Sequence, residues 1–209
     1  KTLFPYTTLF RSTCLGTMVF EERVTPQDLQ RMGINRLIDK ENISSLSKYE
    51  LSALLFIKGN NPIGLKNLAQ LFTYNHITSN TLLKIEINSL PGIPDIGLSK
   101  EKLATILFVQ SGIPEAHSCL GSMILDKKIT KETFEDMGLL EKLGIKDAHT
   151  LTSIELAAHL FVKSNTPNSA CALGWMLQHK LISPEDLQKI GAMENLKIRT
   201  KEILTPIEW

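Results

Sequence analysis

Apolar positions recur along this chain at two spacings, a short one of three to four residues and a long one of about 52 residues. The short spacing marks amphipathic helices. Leu120, Met123 and Ile124 follow it through one segment and share a single face. The long spacing is steady. Leu15, Leu68, Leu120 and Leu173 lie 53, 52 and 53 residues apart, and Val24, Ile77, Ile129 and Ile182 each follow nine residues later. Leu29, Leu82, Phe134 and Leu187 follow after five more. A second set keeps the same beat: Leu46, Leu98 and Leu151 precede Phe56, Phe108 and Phe161 by ten, and each Phe precedes Pro62, Pro114 or Pro167 by six.

A period of this length is characteristic of tandem helical units. The best-matched copies are CLGTMVFEERVTPQDLQRMG from Cys14, CLGSMILDKKITKETFEDMG from Cys119 and ALGWMLQHKLISPEDLQKIG from Ala172; LAQLFTYNHITSNTLLKIE from Leu68 is more divergent. Each unit predicts three helices. Helix A opens at Asn61-Pro62 and Thr166-Pro167, a capping side chain followed by a proline whose missing N–H costs nothing at the first helical position. Helix B opens at Thr25-Pro26-Gln27-Asp28 and Ser183-Pro184-Glu185-Asp186, where the acid also suits the helix dipole. Gly33, Gly138 and Gly191 stand where a left-handed residue would end helix B. Glu86 holds that place in the second copy, so helix B is expected to run on there. Helix C opens at Ser47-Lys48-Tyr49-Glu50 and Thr152-Ser153-Ile154-Glu155, both capping boxes, and its apolar body is wide enough for an inner layer. No segment alternates with period two, so no strand is expected.

The expected fold is therefore all-α, a tandem repeat with three helices per unit in a solenoid-like stack, because one such unit cannot bury its apolar face alone. The units run over 13–61, 62–113, 114–166 and 167–209, the first and last incomplete. Leu204-Thr205-Pro206-Ile207-Glu208 matches the start of helix C at Leu151 and stops at Trp209. Residues 1–12 are set apart: Thr2–Ser12, TLFPYTTLFRS, reads as one frame of a short-read sequencing adapter, and the native sequence is expected to begin near Thr13. The three-helix unit is similar in kind to those of armadillo and HEAT arrays, which implies a stacked helical scaffold. The hairpin of helices A and B, with its L…I-T-x-E-x-F pattern, resembles that of SHOCT domains over about 20 residues per unit. That likeness implies two antiparallel helices and no activity.

Charge narrows the partners. The chain carries 23 basic and 22 acidic residues. Without Lys1 and Arg11 the balance is 21 against 22, a net of −1. Phosphate-binding proteins usually carry a basic surplus, so no nucleic-acid partner is expected. The 43% apolar and 22% charged content suits a soluble domain. The longest apolar run, Leu103–Val109, falls well short of the roughly 18 residues of a membrane span. We expect a cytoplasmic protein with no cofactor and no metal.

Catalytic signatures are missing. The chain has no GxGxxG, GxxxxGK[ST], HExxH or GxSxG motif, and its acids track helix caps. Cys14, Cys119 and Cys171 are expected to be small buried residues at tight helix crossings, too far apart to bridge. His117-Ser118-Cys119 offers two metal ligands without a second pair. His159, among apolar neighbours, is expected to be a hydrogen-bonded structural histidine. The functional signal is departure from the repeat. Trp175 stands where Thr17, Gln70 and Ser122 stand in the other copies, and the second copy adds Phe72, Tyr74 and His76. Trp175, Tyr74 and His76 are the expected partner-binding residues, since exposed aromatics concentrate at interface hot spots. The expected function is a non-catalytic scaffold for an unknown protein or peptide. The alternatives are the repeat region of a larger, multidomain protein and a nucleic-acid-binding array.

Overall fold

The computed structural model describes residues 5–34, 43–90, 92–93, 95–145 and 147–192, with side chains from Ser12 onward. Residues 1–4 of the adapter-like segment and the matching stretch Leu204–Trp209 lie outside the described residues. Among the described residues the fold is all-helical, and no strand is present. A single antiparallel bridge joins Leu90 to Ile93. The helices are α1 (Pro5–Phe20), α2 (Pro26–Arg31), α3 (Lys48–Gly59), α4 (Pro62–Thr73), α5 (Ser79–Lys84), α6 (Lys100–Ser111), α7 (Pro114–Leu125), α8 (Lys131–Asp136), α9 (Ser153–Ser164), α10 (Pro167–Gln178) and α11 (Pro184–Lys189). Helix α1 begins inside the segment read as adapter. The chain forms two compact units, Lys1–Ser111 and Gly112–Trp209.

The caps form as their residues dictate. Thr25 with Asp28, Ser47 with Glu50, Thr152 with Glu155 and Ser183 with Asp186 make reciprocal capping boxes. Asn61 and Thr166 accept the N–H groups of Gly64 and Ser169. Each turn between the first and second helix of a set uses a left-handed residue that is not glycine: Glu22, Asn75, Lys127 and Lys180. The N–H of Asn75 bonds Phe72 O and that of His76 bonds Leu71 O, the two bonds that close a Schellman motif.

One local expectation is corrected here. Glu86 does not let helix B run on. It adopts φ +62° itself and α5 ends at Lys84, just as Gly33, Gly138 and Gly191 take φ +72°, +60° and +68°. The turn is imposed by packing: Leu82 and Ile85 are buried on either side of the helix end, and they outweigh the strain of a left-handed glutamate.

In the first unit α1 packs on α3, α4 packs on α6, and α3 packs on α4. In the second, α7 packs on α9, and α9 on α10. The long-helix pairs meet through small residues. A Cβ added to Gly16 of α1 would lie 2.7 Å from the Phe56 ring of α3, and one added to Gly121 of α7 would lie 2.9 Å from the Phe161 ring of α9. Glycine costs about 1 kcal/mol in a helix relative to alanine. Here the cost is offset by seating a fully buried aromatic ring against the helix backbone. The short helices α2, α5, α8 and α11 each bury one side chain, Leu29, Leu82, Phe134 and Leu187 respectively.

Two carboxylates tie the layers together. Glu50 accepts the Ser47 N–H through Oε2 and pairs with Lys84 Nζ through Oε1 at 2.8 Å. Glu155 repeats this with the Thr152 N–H and Lys189 Nζ, also at 2.8 Å. In each unit a cap at the start of a long helix is thereby joined to a short helix 34 residues onward. Burial pushes the Glu50 carboxyl up, but Lys84 and Ser47 together bring it below the ordinary value. Lys189, with help from the Thr152 amide, holds Glu155 at about 2.

Two outcomes are expected. Gly121→Val should overpack the Phe161 seat and cost about 2 kcal/mol, read as a fall in thermal midpoint, with Gly121→Ala intermediate. The stability that Glu155 supplies is complete above pH 4.5 and is lost as pH falls toward about 2. Acid-titrated thermal melts should show Glu155→Gln flattening that dependence and lowering stability near neutrality by about 1–2 kcal/mol.

Candidate functional site

The ends of three helices converge on one exposed patch in the first unit. Phe20 closes α1, Tyr49 sits in the first turn of α3, and Tyr74 and His76 follow α4. The Tyr49 and His76 rings stack with centroids 4.2 Å apart and planes within 9°. Phe20 meets His76 edge-on at 5.9 Å and Tyr49 at 6.1 Å. Tyr74 stands 6.3 Å from His76 and remains 60% exposed. Offset and edge-on aromatic contacts of this kind hold rings in fixed orientations. A cation completes the patch. Lys48 Nζ lies 4.9 Å from the Tyr49 centroid and pairs with the Glu22 carboxylate. That pairing raises the Lys48 ammonium above its ordinary value and lowers Glu22.

Beside the patch runs a groove of about 360 Å³ between α1 and α4. Phe20 belongs to both. Ile63 is exposed on the α4 wall, while Phe56 and Leu71 form an apolar floor. Asn67 Nδ2 donates to Thr17 Oγ1 across it at 3.3 Å.

Of the residues singled out in the sequence, Tyr74 and His76 are brought together here. Phe72, on the opposite side of α4, is fully buried and belongs to the core. Trp175 lies in the second unit, 47% exposed on α10, stacked on His179 at 4.3 Å. His179 Nδ1 also sits 2.9 Å from Trp175 O, so this aromatic pair is held by one helix turn. Phe20 and Tyr49 were not anticipated. The signal existed: Phe20 replaces the Thr73, Leu125 and Gln178 of the other copies, and Tyr49 replaces Glu101 and Ile154.

The cysteines do not behave as expected. Cys14 and Cys171 are exposed, Cys119 is half-buried, and none of the three forms a disulfide. In α1 and α7 the close approach is made by Gly16 and Gly121, each two residues beyond the cysteine, whereas the matching Gly174 of α10 has open space beside it. Among the described residues no group of His, Cys, Asp and Glu could hold a metal ion. No helix of the described residues is long and apolar enough to cross a membrane.

His159, expected to be a hydrogen-bonded structural histidine, departs from expectation at one atom. His159 on α9 has a buried Nδ1 that meets no hydrogen-bond partner among the described residues, so the expected bond is not made at that atom. Its side chain lines a second cavity of about 430 Å³ with Asp147, Thr150 and Lys189. Burial lowers the His159 and His117 imidazoles below the usual 6.5, and the Lys163 ammonium lowers both further. The Ile113 and Pro114 carbonyls oppose the shift at His117. Lys163 itself bonds the Leu143 carbonyl.

No family model, characterised protein or solved structure matches this chain.

The histidines make a pH prediction. Both are held neutral by the fold, so the stability they confer is complete above pH 6.5 and declines as pH falls through 6.5, where the unfolded chain takes up protons first. Imidazole NMR titration should place both midpoints below 6.5, and His159→Gln should weaken the loss of stability between pH 7 and 5.

Proposed function

We propose that this chain is a tandem array of three-helix units in a solenoid-like stack, acting as a non-catalytic scaffold that binds a protein or peptide. Several recurrences support the array. Left-handed residues recur at 22, 75, 127 and 180, at the long spacing of the sequence. The Gly16–Phe56 and Gly121–Phe161 seats are alike, as are the Glu50–Lys84 and Glu155–Lys189 ties. At these positions Lys102 stands for the glutamate in the second copy and Asp136 for the lysine in the third, while the first copy keeps a basic residue, Arg31, at the lysine position. Such a stack would let each unit bury a face it cannot bury alone. On this reading the adapter-like residues 1–12 are foreign to the array.

The observation that carries the binding role is the orientationally fixed cluster of Phe20, Tyr49, Tyr74 and His76, with Phe20 and Tyr74 exposed and Tyr49 and His76 half-buried, beside an apolar groove. Rigid aromatics provide large contact area at low entropic cost, and they dominate protein-binding hot spots.

Affinity capture on the full chain, read by mass spectrometry, tests this. The wild type should retain a reproducible partner that the Phe20→Ala/Tyr74→Ala double variant loses, with both proteins equally helical by circular dichroism. Recovery of no partner, or of the same set by both proteins, overturns the reading.

A further inference from the structure

The α1–α4 groove has features that select one kind of occupant. Ile63, Asn67 and Gln70 follow one another at helical spacing along the groove side of α4, so that this wall spans about 11 Å, roughly two helical turns. Ile63, 48% exposed, stands on the α4 wall and Phe20 on the opposite one, while Tyr74, 60% exposed, sits just past the end of α4 in the adjoining aromatic patch. Phe56 and Leu71 close the floor. The two walls differ in charge. Glu21 on the α1 side is already paired with Arg23 at 2.9 Å. Lys66 on the α4 side is half-buried and has no ion-pair partner among the described residues.

We infer that this groove docks an amphipathic α-helix of two to three turns, with apolar residues on one face and a carboxylate set against Lys66. This rests on the binding role proposed above and names the partner's chemistry. Length, floor and charge each contribute. Two parallel walls of helix side chains, in contact from Thr13–Asn61 through Thr17–Asn67 to Phe20–His76, fit the apolar stripe of a third helix, whose anchors recur at i, i+3 or i+4, and i+7. A volume of about 360 Å³ takes only a few side chains, which matches anchors on one face and excludes a folded domain inserting a loop. The described groove walls are helices, so they provide no strand edge for an extended peptide to augment. The unpaired ammonium at Lys66, next to buried apolar surface, favours an acidic residue over a basic one at the groove's rim.

The test is a selection on the full chain with two displayed libraries. One is helix-forming, with apolar residues held at i, i+4 and i+7 and the rest randomised. The other is proline-rich and extended. The helical library should yield binders carrying Asp or Glu on the flank of the apolar stripe. Ile63→Glu should weaken them at least tenfold. Lys66→Glu should invert the selection, so that Lys or Arg replaces the acid, with both variants as helical as the wild type by circular dichroism. Binders drawn only from the proline-rich library and lost in Phe20→Ala/Tyr74→Ala overturn the helix inference and leave the scaffold reading standing. Helical binders indifferent to Ile63→Glu and Lys66→Glu also overturn it. Enrichment from neither library overturns both.

Discussion

Helix contact in each unit depends on a steric fit: an aromatic ring lies where a Cβ would otherwise be. Gly16 beneath Phe56 and Gly121 beneath Phe161 let the paired long helices approach closely enough to bury an entire phenylalanine. The buried run of α3, Leu51 to Phe56, follows from that approach. With the long helices held so near each other, the six-residue helices need only one buried side chain apiece to lie down against them. A six-residue helix is too short to persist without such anchoring.

The candidate site is a by-product of where those helices stop. The chain leaves α1 and α4 through left-handed turns at Glu22 and Asn75, and α3 starts nearby at the Ser47 cap. Three helix ends thus deliver Phe20, Tyr49 and His76 to one place. Their rings support each other, while the cores beneath are filled by Leu71, Phe72 and Phe56. The aromatics are therefore surplus to core packing, which gives them to the surface.

Much of the helical architecture was legible in the sequence, because caps are chemical and local. A hydroxyl followed three residues later by an acid specifies a helix start wherever it occurs. Features governed by packing were less legible. Glu86 was read by its propensity, yet the burial of Leu82 and Ile85 forces it into the turn that glycine fills elsewhere. The cysteines were read as buried because they are small, but in α1 and α7 the closest approach belongs to glycines two residues on, and Cys14 and Cys171 are exposed. Tyr74 and His76 stood out as additions within one copy. Phe20 and Tyr49 also depart from the matching positions of the other copies, but that they meet His76 is a contact between residues far apart in the chain, which the departures alone do not reveal.

The glutamates at the starts of α3 and α9 have one further consequence. Each uses one oxygen to close its own helix and the other to hold a lysine from a later helix. Local and distant order therefore share a single side chain, and neither bond is at full strength without the other to orient the carboxylate. Fraying of the short helix is felt at the first turn of the long one. A chain whose helices are only 6 to 12 residues long beyond α1 thereby acquires cooperativity that no individual helix could supply.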